Sequence, residues 1–248
     1  KHMPSGKIKF SVPARYGWAT RIGLAPLLMT AILLCLIWGG AVFLAKADQS
    51  QTLQEVTADN NLLARSLEEH VRRTLSAADH FLLLAKHEYE AAQSVTPALR
   101  RQFDYFHIQM PIANQAVLAG RDGAILITAG GSVPGPGQNM AGRKGFITHS
   151  TGESEWMYIG VPGINPFSGE YILPLSRRIN APDGSFAGVV GIMLDMDYFN
   201  KFYDDMGMKS GQIVRIVGLD GIVRVSRLDA AALSGDSMLG SILFQEAA

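Results

Sequence analysis

The sequence predicts an α+β fold carried on a transmembrane helix, and three observations carry that prediction. Residues 22–45 are apolar and uncharged, residues 51–92 hold no glycine or proline, and from Gln115 onward short runs of strand-forming residues alternate with turn dipeptides. The first pattern is that of a membrane span, the second of a long helix, the third of an antiparallel five-stranded sheet with flanking helices.

A chain of 248 residues holds one or two domains. Its 22 basic residues balance 22 acidic ones, but the balance is a sum of unlike regions. Lys1, Lys7, Lys9, Arg15 and Arg21 meet no acidic residue before the apolar run, and all 22 acidic residues follow it. The outer region is therefore net acidic, which argues against nucleic acid as a partner, since phosphate binding needs a concentrated basic surface. The single cysteine, Cys35, excludes an internal disulfide framework and a cysteine-rich zinc site. Lys1-His2-Met3 reads as a tag remnant, outside the fold.

Residues 22–45 are long enough to cross a hydrocarbon core of roughly 30 Å at about 1.5 Å per residue. Twelve of them are Leu, Ile, Val or Phe, and together these favour insertion by on the order of 5 kcal/mol. The run exceeds the apolar core of a cleavable signal peptide, so it reads as an uncleaved anchor. Basic residues stay on the cytoplasmic side, placing residues 1–21 inside and 46–248 outside.

Residues 46–92 follow as one helix rich in Leu, Ala, Glu and Arg. Apolar residues at Leu53, Val56, Leu63, Leu67 and Val71, with Asn60 on the same seam, fit a dimeric coiled-coil stalk and equally a single amphipathic helix packed on its own domain. His70, His80 and His87 make no metal-ligating pattern and read as a solvated face. Thr96-Pro97 predicts the helix end, and residues 97–110 a second, shorter helix.

The sheet begins with a hairpin, 115–119 and 124–129, closed by Gly120-Arg121-Asp122-Gly123. A loop with six glycines and prolines between 130 and 137 follows, matching no phosphate-cradling pattern and placed to act as a lid. Three further strands, 156–161, 170–179 and 186–195, complete the sheet, the last two joined at Asn180-Ala181-Pro182-Asp183-Gly184. A helix over 196–205 carries Tyr198, Phe199, Phe202 and Tyr203, with Asp197 expected as its N-cap, and Tyr198 and Phe199 as core. Another hairpin spans 207–218 and 221–227. Five antiparallel strands with flanking helices describe a PAS-like domain.

Several ordered motifs then resemble a known family. Arg143-x-x-Phe146-x-x-His149, Leu175-Ser176-Arg177-Arg178-Ile179, Asp183-Gly184-Ser185-Phe186-Ala187-Gly188 and Asp195-x-Asp197-Tyr198-Phe199 are similar to the double Cache sensor regions of bacterial membrane receptors, most of all those ahead of GGDEF diguanylate cyclase modules. The resemblance implies a membrane-distal Cache domain over 93–206 and the start of a smaller proximal one over 207–248, with the rest of the receptor beyond Ala248. From pattern alone, 207–248 equally completes a single domain.

In family members that bind amino acids, an arginine holds the carboxylate and a later aspartate the ammonium. By resemblance Arg143 takes the first role and Asp195 the second, with Phe146 and Tyr171 as walls. His149, Tyr158 and Arg177 complete the candidate ligand site. Arginine suits a carboxylate through its bidentate fork, and aromatic rings wall an amine. Gly145 stands where amino-acid binders place a bulky aromatic, and Phe146 lacks a hydroxyl, so the ligand is an amino acid or another small carboxylate-like anion. Arg177 and Arg178 are neighbours on a strand, so only one of them faces a given pocket.

No nucleophile elbow, zinc signature or phosphate loop is present, so no catalytic residue, cofactor or metal is expected in this chain. The expected function is extracytoplasmic ligand sensing by a homodimeric receptor with a cytoplasmic output, a diguanylate cyclase by resemblance, a histidine kinase or chemoreceptor as alternatives. The rival from another class is a membrane-anchored assembly protein that uses stalk and sheet for protein contacts.

Overall fold

The computed structural model describes residues 19–131, 138–152, 154–165, 167–206, 213–227 and 235–241. The chain divides into two units, Lys1–Glu69 and His70–Ala248. Helix α1 (Ala19–Ala92) supplies all the described residues of the first unit. Its stretch Pro26–Leu44 has a mean hydropathy of 2.5 and no buried side chain, the surface expected of a helix solvated by lipid rather than by a protein core. The side chains of the lower seam, Leu53 and Val56, lie outside the described residues, as do the N-terminal 18 residues and the glycine- and proline-rich segment 132–137.

In the second unit α1 ends at Ala92, the bound expected of the stalk helix. Gln93 turns left-handed at φ 51°, and its N–H still donates to Tyr89 O at 2.6 Å. Thr96 instead opens the next helix, α2 (Pro97–Asp104), its hydroxyl accepting from Leu99 N at 3.0 Å with Pro97 in the first turn. The expected single helix over 97–110 breaks at Tyr105 into α2 and α3 (Phe106–Gln109). Phe81 meets Phe103 and Phe106 with ring centroids 5.7 and 5.1 Å apart, locking α1, α2 and α3 together.

The main sheet is antiparallel throughout. Its strands are β1 (Ala113–Gly120), β2 (Ile125–Gly130), β3 (Tyr158–Ile159), β4 (Gly163–Ile164), β5 (Tyr171–Asn180) and β6 (Phe186–Asp195), in the order β2-β1-β6-β5, with β3 and β4 both on the outer edge of β5. It is thus five strands wide. The predicted strand over 156–161 is cut to two residues because Pro174 faces that edge. Gly160 N–H donates to Pro174 O at 2.8 Å, and proline has no N–H to return, so the edge strand lapses and resumes as β4.

The pleat assigns the two faces. Leu173, Leu175, Arg177 and Ile179 of β5 share one face with Val190, Ile192 and Leu194 of β6, and Ile192, Leu194 and Ile179 are fully buried there. Burying each such side chain contributes roughly 1.5–3 kcal/mol. The other face carries a second core of Val117, Ala119, Phe146, Ile172, Val189 and Met193. It is covered by α4 (Lys144–Thr151), a helix the strand-and-turn reading did not anticipate.

Helix α5 (Met196–Asp205) follows β6 directly, at the predicted bounds. Asp195 caps it, Oδ1 accepting from Asp197 N at 2.9 Å, so the cap lies two residues before the one expected. Phe199 and Tyr203 are buried, whereas Tyr198 stays exposed, against the expectation of a core residue. His70 is not a solvated histidine: its ring stacks on Phe202 with centroids 3.5 Å apart. A separate hairpin, β7 (Val214–Val217) and β8 (Val223–Arg227), closes the described fold.

Candidate functional site

A cavity of about 200 Å³ opens on the α4 face of the sheet. Its floor is Ile172, Pro174 and Ser176 of β5 with Val189, Gly191 and Met193 of β6, all on the same side of the pleat. One wall is the N-terminal turn of α4 with Arg143, Lys144, Gly145 and Phe146, and another is Tyr158 of β3 with residues of the segment 160–165 and Phe167. The volume falls below the roughly 300–1,000 Å³ of drug-sized sites, which fits a ligand of a few heavy atoms.

Three of the seven sequence-predicted residues line this cavity. Arg143 is the N-cap residue of α4, extended at φ −83° and ψ 139°, with no side-chain capping bond. It is exposed at the rim, its guanidinium carbon 5.5 Å from the ring centroid of Phe167 across the opening. Phe146, one turn into the helix, is buried edge-on to Phe186 at 5.2 Å. Tyr158 stands half-buried on the opposite wall.

The other four lie elsewhere. His149 sits behind the wall, 2% exposed, with Nε2 3.1 Å from the Ser176 hydroxyl. Burial first, and then the charges of Arg178, Lys86 and Arg177, hold its pKa below the ordinary histidine value, with the Ser176 backbone opposing them in part. Arg177 projects from the far face of β5, where its Nε and Nη2 hold Asp79 of α1 at 2.5 and 2.9 Å. Tyr171 is half-buried at the sheet edge opposite Ile164, outside the cavity lining. Asp195 shares the cavity face two residues beyond Met193, but its Oδ1 is engaged as the α5 cap and it does not reach the lining.

Arg178 does face the cavity side, as a brace for α4. Its Nη1 donates to His149 O and to Gly152 O, and its guanidinium rests 5.2 Å above the Phe186 ring. A cation against the last carbonyls of a helix complements their partial negative charge.

The sequence reading missed Ser176, Asn165 and Phe167. Alternation along β5 places Ser176 beside Pro174 and Arg178 on one face, a signal present in the sequence. Asn165 is fully buried and fixes its loop, accepting from Phe167 N at 3.0 Å and donating to Gln115 Oε1 at 3.2 Å. That turn holds Phe167 under Arg143. Among the described lining residues the charged ones are Arg143 and Lys144, with no carboxylate, so the cavity favours an anion.

Gly145 shapes the wall. A Cβ there would lie 2.8 Å from the Ser176 hydroxyl and 3.4 Å from the Tyr158 ring. Its φ is not in the left-handed region, so the backbone does not require glycine, although glycine inside a helix costs about 1 kcal/mol relative to alanine.

No protein-family model matches this chain, and no curated protein matches it. Solved structures do match its fold. The extracellular domain of a protein described as a histidine kinase, rpHK1S-Z16, is 23% identical with a TM-score of 0.63, covering 74% of this chain and 75% of that one. The ligand-binding domain of the Pseudomonas fluorescens chemoreceptor CtaA in complex with L-serine is 17% identical with a TM-score of 0.55, over 71% and 73% of the two chains. That of the Pseudomonas aeruginosa amino-acid chemoreceptor PctC in complex with GABA is 13% identical, TM-score 0.55, over 71% and 77%. The chain therefore has the fold of the extracellular ligand-binding domains of such receptors.

Proposed function

We propose that this chain is the extracytoplasmic ligand-sensing region of a membrane-bound signal-transduction receptor, which binds a small solute and regulates a cytoplasmic output domain. The observation that carries this reading is the cavity of about 200 Å³ between α4 and the sheet, apolar within and rimmed by Arg143. The solute is an amino acid or a carboxylate-like anion, held by Arg143 and walled by Phe146 and Tyr158. The receptor is a homodimer through the stalk, anchored in a bacterial inner membrane with residues 46–248 in the periplasm. The ligand shifts the signalling equilibrium only so far as it binds one conformation better than the other.

The order of motifs supports an output that makes cyclic di-GMP, and the likeness to a histidine kinase extracellular domain supports a kinase as the runner-up. The chain itself is non-catalytic.

A thermal-shift screen of the full chain in detergent, against L-serine, L-alanine, GABA, propionate and succinate, tests this reading. A ligand at a hundredfold excess over Kd adds about 2.7 kcal/mol of stability. Stabilisation that disappears in Arg143→Ala supports the assignment. No stabilisation by any of them favours an assembly protein instead.

A further inference from the structure

Ser176 is the one hydroxyl on the cavity floor among its described lining residues, and it is tied to a histidine that sees no solvent. His149 Nε2 lies 3.1 Å from Ser176 Oγ, while its Nδ1 is buried with no partner among the described residues. Burial and the nearby Arg178, Lys86 and Arg177 keep the ring neutral, so it carries one N–H. With the proton on Nδ1, a buried donor would be left without an acceptor, and the Ser176 hydrogen would be spent on Nε2. With the proton on Nε2, the ring donates to Ser176 Oγ and leaves a bare lone pair, which the neighbouring Arg178 charge favours. In that tautomer the serine O–H is free to donate into the cavity.

Gly145 is what lets a ligand reach it. Any side chain at that position would lie against the hydroxyl, the first added carbon at 2.8 Å, and the backbone conformation there is one that every residue adopts. The glycine is thus explained by the space it leaves.

We propose that Ser176 is a specificity-determining residue of this cavity, its hydroxyl donating to an oxygen of a bound carboxylate, with His149 as its positioning residue and Gly145 as the opening that exposes it. The proposal rests on the cavity being the ligand site. It makes the recognised feature an acceptor oxygen and requires no carboxylate from the protein for an ammonium group. Propionate and succinate are accordingly expected to bind at least as well as L-alanine and L-serine.

The test is titration calorimetry on the full chain in detergent with those four compounds. Ser176→Ala is expected to weaken the tightest of them about tenfold or more, the loss of one charge-assisted hydrogen bond, while Ser176→Thr retains most of the affinity. Gly145→Ala should lower affinity as much, with a urea midpoint near that of the unaltered chain, which separates the loss of binding from a loss of folding. The double variant should be no weaker than either single one, since both remove the same contact. His149→Leu should shift the preference among the four toward that of Ser176→Ala, a change that mere loosening of the core would not produce.

Unchanged affinity in both Ser176→Ala and Gly145→Ala, with binding lost in Arg143→Ala, overturns the role of Ser176 and leaves the cavity as the site. Affinity unchanged in Arg143→Ala and Phe146→Ala as well overturns the site. Failure of all four compounds to bind the unaltered chain overturns both.

Discussion

Arg177 grips Asp79 on the face of the sheet opposite the cavity, with Nε 2.5 Å from one carboxylate oxygen and Nη2 2.9 Å from the other. The same guanidinium donates to the backbone oxygen of Glu155, so one side chain ties α1, β5 and the approach to β3 together. The arginine side chain is 11% exposed and the aspartate 28%, which keeps water from replacing the pair. Removing the carboxylate leaves a largely buried cation short of two acceptors. Asp79→Ala should lower stability by about 2 kcal/mol, the scale of hydrogen bonds to a charged group. Urea denaturation measures it, and ligand affinity should be unchanged. Weakened ligand binding with unchanged stability would return Arg177 to the ligand site.

Tyr203 carries the opposite kind of polar group. It is fully buried, and its hydroxyl has no partner among the described residues. Burial pushes its pKa far above the ordinary tyrosine value, so the phenol stays neutral. An unsatisfied buried hydroxyl costs on the order of 1–3 kcal/mol. Tyr203→Phe removes that cost without changing shape and should raise the urea midpoint by the equivalent of about 1 kcal/mol. A drop would mean that the hydroxyl has a partner.

The buried histidine behind Ser176 makes stability depend on pH. Its folded pKa lies below the unfolded value of about 6.5, through burial first and then Arg178 and Arg177 of β5 and Lys86 of α1. In the window between the two values the unfolded chain binds the extra proton. Its contribution is therefore fully present above about pH 6.5 and is lost as pH falls toward the folded pKa. His70, also lowered by burial and by Arg73, acts in the same direction. Denaturation midpoints measured from pH 7.5 down to 5.5 should fall, and His149→Gln should flatten the fall while leaving the His70 part. A midpoint that rises on acidification would contradict the neutral ring.

Much of this architecture was legible because its signals are local. The bounds 186–195 and 196–205 follow from a continuous apolar run and a change of period, and both match β6 and α5. The edge strand was overdrawn because its limit is imposed by Pro174, a residue on another strand. Helix α4 was missed although Arg143, Phe146 and His149 are spaced by three, since glycines on both sides masked an eight-residue helix. At the candidate site, the sequence reading named Arg143, Phe146 and Tyr158, which line the cavity wall. It also named Asp195 and Arg177, whose side chains are engaged by a helix terminus and an aspartate that no spacing announces. Ser176 was overlooked beside two arginines, yet strand alternation alone puts it on the face of Arg178.

The apolar stretch of α1 gives the last prediction. The stretch Pro26–Leu44 has 19 residues and no buried side chain, and at about 1.5 Å per residue it matches a hydrocarbon core of roughly 30 Å. Leu33 and Ile37 stand one turn apart and are exposed. Replacing both with arginine changes two favourable insertion terms into costs of about 2.5–3.5 kcal/mol each, which outweighs the insertion energy of the remaining apolar residues. The unaltered chain should stay in the pellet after a carbonate wash of bacterial membranes, and the Leu33→Arg/Ile37→Arg chain should not. Basic residues before a span favour the cytoplasmic side, so with the proposed orientation alkaline phosphatase fused after Gln51 should be active and the same enzyme fused before Ile22 inactive. Activity in the reverse pattern would place the cavity in the cytoplasm and exclude an extracytoplasmic sensor.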